Sequence, residues 1–288
     1  MSPSSTERGS FLPRGRRPWV LPFRERIVVQ LAPGALRAVR LAGGRGRVLD
    51  QRSWRFPERP VPAWANCIDA LTELFDEPHW LDHPIRVLLS GAFAHHVVMP
   101  GGKALTATLL EDLARAIFRE RYGDMAREWQ LRVSPAGGRP TLACGVPAAF
   151  LDALAQTCAD RGTLTSVEPL LMHVFNRFRR RFSAPEGSLI VVEPARLTLA
   201  SWADSEWHSV IGRAGGGEAL PQMFAELAAV AMPLPGRSVW LHDPEGSARL
   251  PDAPGLALIP LPDDWPATEI VHRNTGQPMP AVPPGATS

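Results

Sequence analysis

The first regular patterning in the chain is a set of three short segments in which apolar and polar positions alternate. They cover residues 27–31 (IVVQL), 35–43 (ALRAVRLAG) and 46–56 (GRVLDQRSWRF), and they are rich in the β-branched and aromatic residues typical of strands. After a proline-rich connection, apolar residues recur at helical spacing between positions 62 and 75. The pattern therefore predicts three strands followed by a helix.

The middle of the chain, residues 86–178, alternates between strand and helix patterns without a break. Thr108 and Glu111 have the spacing of a capping box, which predicts the start of a helix over residues 106–121, and Gly123 predicts its end. The other predicted elements are strands over 86–90, 93–99, 128–133, 140–146 and 163–167, and helices that open at Pro147 and Pro169.

A second β-rich unit repeats the plan of the first. Its predicted elements are strands over 188–194, 196–202, 206–212, 238–242 and 256–261, and a helix over 218–232. Each unit runs from a strand through a hairpin to a helix, which is the layout of the duplicated actin-like (ribonuclease H-like) α/β fold, with mixed sheets flanked by helices.

The same pattern predicts the domain boundaries. A first lobe is expected over residues 26–167, with an inserted subdomain at about 92–146, and a shortened second lobe over 168–265. The flanking segments, 1–25 and 266–288, are rich in proline and other small or polar residues and lack any period, so we expect them to be disordered.

Composition narrows the function classes. Hydrophobic residues make up 45% and charged residues 21% of the chain, as in an ordinary soluble globular protein. The formal net charge of +2 is too small to suggest nucleic acid, although residues 1–26 hold six arginines against two glutamates. No apolar run approaches the roughly 18 residues of a membrane span. We therefore expect a cytoplasmic protein.

Few side chains suggest catalysis or metal binding. The three cysteines share no metal-ligand spacing and are expected to be buried thiols in a reducing compartment. His95 and His96 are neighbours on a predicted strand, so they face opposite sides and cannot share a metal. Arg177–Arg181 is expected to be a solvated helix end that complements the helix dipole, with a phosphate or partner contact as the alternative.

Several segments resemble a known group of proteins. These are VLLSGAFAHHVVMP, a helix ending at RYG with a tryptophan six residues further on, LACGVPAAFLDAL, and GTLTSVEPLL. They are similar to segments of the cytoplasmic actin-like proteins of type IV pilus and type II secretion machines, the PilM and GspL families. The resemblance extends from about residue 27 to about residue 231.

This resemblance implies a cleft between two lobes that holds ATP, with two Asp-x-Gly loops around its phosphates. The first loop would fall in QLAPGALRAV, where Gln30 takes the Asp position and Ala32 the Gly position. Gly34 and the basic Arg37 belong to the same segment. Glutamine cannot supply negative charge to the shell of a magnesium ion, and the alanine Cβ crowds backbone amides that glycine would leave open.

The second loop would fall in EPARLTLASW, where Glu193 and Ala195 take the Asp and Gly positions and Thr198 remains. The adenosine-binding turn would fall in LHDPEGSARL, which has one glycine, Gly246. All three elements of the nucleotide site are altered. We therefore expect the cleft to be degenerate, Mg·ATP to bind weakly or not at all, and the protein to have neither a cofactor nor ATPase activity.

The resemblance implies a non-catalytic scaffold at the cytoplasmic face of a pilus-assembly or secretion-type complex. Its partners would be inner-membrane assembly proteins, and its own contact with the membrane would be peripheral and through those partners. One alternative is a nucleotide-binding ATPase that uses Glu193 and Thr198. The other is a nucleic-acid binder that uses its arginine-rich segments, although it lacks interleaved aromatic residues and a basic overall charge.

The resemblance also implies that a groove of the first lobe receives a short peptide from a membrane protein. We place part of this surface on the segment Phe93–Met99 and the helix over residues 106–121. Arg115 and Arg119 lie four residues apart on that helix, so both can meet one acidic partner. The alternative is that they are ordinary solvated charges.

Overall fold

The computed structural model describes residues 25–43, 47–57, 62–101, 106–134, 139–182, 185–204, 206–230, 238–248 and 257–262. The segments predicted to be disordered, 1–25 and 266–288, lie outside the described residues apart from Glu25. The described helices are α1 (Ala65–Phe75), α2 (Ala107–Tyr122), α3 (Ala148–Ala159), α4 (Leu170–Phe178) and α5 (Leu220–Val230). None of them combines the length and the apolar character that crossing a membrane requires.

The first lobe is built on a five-stranded mixed sheet. Its strands are β1 (Arg26–Ala32), β2 (Ala35–Leu41), β3 (Val48–Arg55), β4 (His83–Leu89) and β8 (Gly162–Pro169). They lie in the order β3-β2-β1-β4-β8; the first three pair antiparallel, and β4 pairs parallel with both β1 and β8. The alternate residues Ile27, Val29 and Leu31 are fully buried in the core that this sheet shares with α1 and α3.

The second lobe repeats this topology. Its strands are β9 (Gly187–Glu193), β10 (Arg196–Ala203), β11 (Glu206–Ala214), β12 (Ser238–His242) and β13 (Ala257–Pro260). The order is β11-β10-β9-β12-β13, again an antiparallel hairpin followed by two parallel strands. Because the pairing pattern matches strand for strand, the duplication predicted from the sequence is present in the described sheets.

A three-stranded sheet is inserted into the first lobe between β4 and α3. It consists of β5 (His95–Met99), β6 (Trp129–Val133) and β7 (Thr141–Pro147) in the order β5-β7-β6, and α2 packs on one face. The predicted capping box is wrong: the N-cap of α2 is Thr106, whose hydroxyl accepts the amide of Leu109. The helix ends as predicted at Gly123, which has φ 68°.

Helix α4 packs against both lobes. Its apolar face joins Leu88 of the first lobe to Leu189, Trp202 and Trp240 of the second in one core. At the centre, the ring of Phe175 lies 5.7 Å from that of Trp202. Aromatic rings bury a large area per residue, so this shared core fixes how the two lobes lie against each other.

A polar contact holds the start of α4 on the first sheet. Arg86 of β4 forms an ion pair with the buried Glu168 of β8 and donates to Nδ1 of His173 at 3.0 Å. Burial and the neighbouring Arg86 lower the pKa of His173 to about 3, so its ring is neutral at physiological pH and can accept this hydrogen bond.

Candidate functional site

The two sheets meet at a cleft located at the carboxyl ends of β1 and β9. The cleft encloses about 450 Å³, including the space at its open mouth. Its walls come from the β1–β2–β3 hairpins of the first lobe and from the end of β9 and the loop after β12 of the second. The lining residues are Gln30, Ala32, Ala35, Arg37, Ser53, Arg55, Val192, Glu193, Pro194, Asp243, Pro244, Glu245 and Ser247.

Strand register aligns three residues of the first-lobe wall in one row across the sheet. Gln30 lies opposite Arg37, and Arg37 lies opposite Ser53, so these three residues cross the sheet side by side. Both Gln30 and Arg37 are buried. Gly34 lies beyond this wall, in the turn that joins β1 to β2, where φ is 67° and its carbonyl accepts the amide of Phe56 at 2.9 Å.

The second-lobe wall includes a turn that closes the cleft mouth. Asp243 organises this turn, because its Oδ2 accepts the amide of Ala248 at 2.7 Å and its backbone carbonyl accepts that of Gly246 at 3.3 Å. Glu245 extends from the turn and forms an ion pair with Arg55 of the first lobe. The mouth of the cleft is therefore bridged by opposite charges from the two lobes.

Deeper in the cleft, the carboxylate of Glu193 crosses from the second lobe to the first. Its Oε1 accepts the backbone amide of Gly91 at 2.9 Å, although the two residues are 102 positions apart. Gly91 belongs to a tight turn after β4, in which the carbonyl of Ser90 accepts the amides of Phe93 and Ala94, both at 3.0 Å. Glutamate has one methylene more than the expected aspartate, which helps it to span this gap.

The same turn makes a close contact with Thr198. A Cβ added to Gly91 would lie 2.5 Å from Thr198 Oγ1, 3.3 Å from Glu193 Oε1 and 3.5 Å from Arg196 Nε. Three polar side chains of the second lobe therefore surround one glycine of the first. The absence of a side chain at position 91 is what allows the lobes to approach this closely.

Burial dominates the electrostatics of Glu193. Loss of hydration raises the pKa of this carboxyl, while the Ser90 hydroxyl, the Gly91 amide and the charge of Arg196 act in the opposite direction. Among the described residues, Glu193 Oε2 and Thr198 Oγ1 have no hydrogen-bond partner. The contact between the lobes therefore contains buried polar atoms whose hydrogen-bonding capacity is not used within the described chain.

Three consecutive glycines after β11, Gly215–Gly217, allow close packing behind the second-lobe wall. A Cβ at Gly216 would lie 2.6 Å from the carbonyl oxygen of Pro194, and one at Gly217 would lie 2.5 Å from that of Ser247. These two glycines let their loop lie directly on the turns after β9 and β12. The space beside them is filled by neighbouring backbone.

No protein-family model matches the chain, and no curated protein matches it. Solved structures share its fold. The cytoplasmic domain of EpsL from Vibrio cholerae, an inner-membrane component of the type II secretion system, aligns with a TM-score of 0.53 and 13% identity over 81% of this chain and 85% of that chain. A Bacteroides thetaiotaomicron protein of unknown function with an actin-like ATPase fold aligns with a TM-score of 0.52 and 8% identity over 79% and 84% of the two chains.

The PilM–PilN type IV pilus biogenesis complex is also similar, with a TM-score of 0.47 and 14% identity over 73% of this chain and 67% of that chain. The first two likenesses, together with the duplicated sheets, show that the chain has the actin-like α/β fold. The fold predicted from the repeated pattern, and expected from the resemblance to the cytoplasmic actin-like assembly proteins, is therefore confirmed.

The structure brings together three of the predicted nucleotide-cleft residues: Gln30, Arg37 and Glu193 line one cleft. Thr198 is buried behind them against Gly91, and Gly34 lies in the hairpin turn.

The predicted partner surface is only partly accessible. Arg115 and Arg119 are exposed on α2, as the helical spacing requires. The expectation that Phe93–Met99 contributes surface is wrong, since this segment is mostly buried between β7 and the second lobe.

Sequence reasoning missed four groups that shape the cleft. The turn at Ser90–Gly91 contacts Glu193, the charge of Arg196 acts on the same carboxyl, and Arg55 and Glu245 close the mouth. A glycine directly after a buried strand was the one local signal, because glycine there indicates a tight turn or a close approach. The partners of that glycine are more than 100 residues away in sequence.

The histidines and the acidic residues are candidate metal ligands within the part of the chain that the structure describes. No group of three or more His, Cys, Asp or Glu side chains is placed to hold a metal ion there. His95 stacks on Trp129 with ring centroids 4.5 Å apart, whereas its neighbour His96 is buried on the opposite face of β5. Burial lowers the pKa of both histidines to about 4.

The three cysteines are free, buried thiols, as predicted. Burial raises the pKa of Cys67 to about 12, and it also raises the pKa of Cys144 and Cys158. These thiols therefore stay protonated and unreactive at physiological pH.

Replacing Glu193 tests the buried charge. Because burial raises its pKa, the folded state favours the protonated carboxyl, and the stabilisation this gives at acidic pH is lost as the pH rises through the folded pKa. E193Q keeps an oxygen for the Gly91 amide but carries no charge. We expect E193Q to be at least as stable as wild type in urea at about pH 7, with a difference that shrinks toward about pH 4.

The control is E193A, which leaves the buried Gly91 amide without an acceptor and should cost about 1–3 kcal/mol. The account of the contact would be contradicted if E193Q had a lower free energy of unfolding than wild type by the same amount at every pH.

Replacing Gly91 tests the close approach of the lobes. G91A places a methyl group 2.5 Å from Thr198 Oγ1, so the Thr198 side chain or the lobe that carries it must shift, and we expect a loss of about 1–3 kcal/mol in the free energy of unfolding. The double variant G91A/T198A removes the clashing atom and should recover most of this loss. G91A/T198V is the matched control, because valine keeps an atom where the hydroxyl was and should not restore stability. Strictly additive effects in the G91A/T198A cycle would show that the two residues are not in contact.

Proposed function

We propose that this protein is a non-catalytic scaffold of a type IV pilus-assembly or type II secretion-like machine, acting at the cytoplasmic face of the inner membrane. The observation that carries the proposal is the hydrogen bond from the Gly91 amide to Glu193 across the cleft, with Thr198 packed against the same glycine. In a working nucleotide site, the carboxyl at the position of Glu193 would help to hold the nucleotide's magnesium ion. Here it accepts a hydrogen bond from the other lobe.

The residues of the cleft do not suit Mg·ATP. A phosphate loop needs a carboxylate that can hold magnesium through water, and amides that the phosphates can approach. Glu193 is engaged by the first lobe, and Ala32 and Ala195 carry side chains where glycines would open the backbone. No catalytic step through a nucleotide is therefore assigned to this chain.

The charges of the cleft support the same conclusion. Arg37 and Arg55 are the two cations of the lining, and Arg55 is already paired with Glu245. Asp243 is a further acidic residue of the lining, and burial favours the uncharged form of Glu193. The lining therefore offers Mg·ATP neither an excess of positive charge for its phosphates nor, at Glu193, a readily ionised carboxylate for its magnesium ion.

The fold supports the assembly role. The cytoplasmic domain of EpsL, whose fold this chain shares, is part of an inner-membrane component of a secretion system. Partners can still bind the outer faces of the two lobes and of the insert when the side chains of the cleft contact the opposite lobe. We propose inner-membrane assembly proteins as those partners, and the exposed face of α2 as one contact.

Calorimetry tests the nucleotide part of the proposal. We expect no saturable binding heat when Mg·ATP is titrated into the protein up to about 1 mM, because the carboxylate and the loop backbone are not available to it. E193A serves as the comparison, since it frees the Gly91 turn. A micromolar dissociation constant for wild type, or ATP turnover that E193A abolishes, would favour the alternative function of an actin-like ATPase.

Charge reversal on α2 tests the partner surface. Arg115 and Arg119 are exposed, so R115E/R119E should change the free energy of unfolding by less than about 0.5 kcal/mol. It should weaken the recovery of the inner-membrane partner at least about threefold when tagged protein is cross-linked and purified from host membranes. If the folded variant recovers the same inner-membrane proteins in the same amounts as wild type, α2 is not the contact.

A further inference from the structure

A cluster of arginines at the end of α4 has no role in the cleft. Arg177 ends the last turn of the helix, and Arg179–Arg181 form a short 3₁₀ segment directly after it. We call Arg177–Arg181 the arginine turn. Three of its four arginines are exposed, and no acidic residue occurs between Glu168 and Glu186 in the sequence.

Three arginines of the arginine turn are not neutralised within the described part of the chain. Arg179, Arg180 and Arg181 form no ion pair with another described residue. Two guanidinium groups, those of Arg177 and Arg181, lie 6.0 and 5.7 Å from the centre of the Phe178 ring, which is itself buried. This ring holds the two cations over one patch of surface.

The arginine turn lies on the side of the molecule opposite the cleft. Phe182, the residue after the arginine turn, packs against Trp202, and Trp202 pairs with Gly187, the first residue of β9. Glu193, which lies in the cleft, is the last residue of β9. At the usual rise per residue, β9 separates the two ends by roughly 20 Å. A ligand of the arginine turn is therefore independent of the cleft.

We propose that the arginine turn binds the anionic phospholipid headgroups of a membrane surface. Clusters of basic residues are attracted to such surfaces, and this attraction needs no shaped pocket. The chain as a whole carries a net charge of only +2, whereas residues 177–181 place four arginines within five positions.

A membrane fits these features better than a nucleic acid does. The aromatic residues of the arginine turn region, Phe178 and Phe182, are buried and cannot stack on bases. The arginine turn consists of the last turn of a helix and a short 3₁₀ segment, and it includes no sheet surface on which bases could be read. The proposal also differs from membrane attachment through partner proteins, because it needs lipid alone.

Vesicle binding by the full chain tests the proposal. We expect wild type to co-sediment with phosphatidylcholine vesicles that contain about 30% phosphatidylglycerol, and not with pure phosphatidylcholine. R180E/R181E should weaken this binding at least about tenfold, and raising the salt from about 0.05 M to about 0.3 M should weaken binding of wild type more than of the variant. R180Q/R181Q removes the two charges without reversing them and should weaken vesicle binding by a smaller factor. It shows whether the loss in R180E/R181E comes from the charge and not from misfolding.

The matched control is R115E/R119E, which makes the same charge change on α2 and should bind the anionic vesicles like wild type. This control separates the two proposals, because it is expected to lose the assembly partner and keep the lipid. Equal vesicle binding by wild type and R180E/R181E would overturn the lipid assignment. So would binding to neutral vesicles at the same level, or tighter arginine-dependent binding to duplex DNA or polyglutamate at the same salt.

Discussion

The contact between Glu193 and the Gly91 turn determines what this fold can do. A carboxylate at the end of β9 reaches across the cleft to a backbone amide of the other lobe. Its burial is costly, as the raised pKa of this carboxyl indicates, and the hydrogen bond and Arg196 offset part of that cost. The contact is possible only because residue 91 has no side chain to collide with Thr198. One glycine and one glutamate thus connect the two halves of the duplicated fold.

Two further contacts restrict motion between the lobes. The aromatic core around α4 joins them on the side remote from the cleft, and the ion pair between Arg55 and Glu245 joins them at its mouth. Domain closure around a ligand requires a hinge and an open state from which to close. Contacts between the lobes at the mouth, at the base and behind the cleft hold the two lobes together without a ligand.

The fold could be predicted from the sequence because its signals are local and repeated. Strand alternation, hairpins and helical spacing recur in both halves, and the resemblance to the actin-like assembly proteins placed Glu193 in the cleft. What Glu193 contacts could not be predicted, because Gly91 is 102 residues away and the choice depends on how the lobes pack. The start of α2 was predicted to within one residue, but its cap was not: Thr106 and Thr108 are both good capping residues, and Thr106 takes the role in the structure.

A closed cleft changes which surfaces can carry function. The insert that bears α2 is fixed to the second lobe through β5 and β11, and the end of α4 is fixed to both lobes by its aromatic core. Surfaces on these elements therefore keep a constant spacing and orientation. Partners that bind two faces of a rigid body are held at a defined distance from each other. The proposed scaffold role therefore depends on these contacts between the lobes and not on a ligand-driven motion.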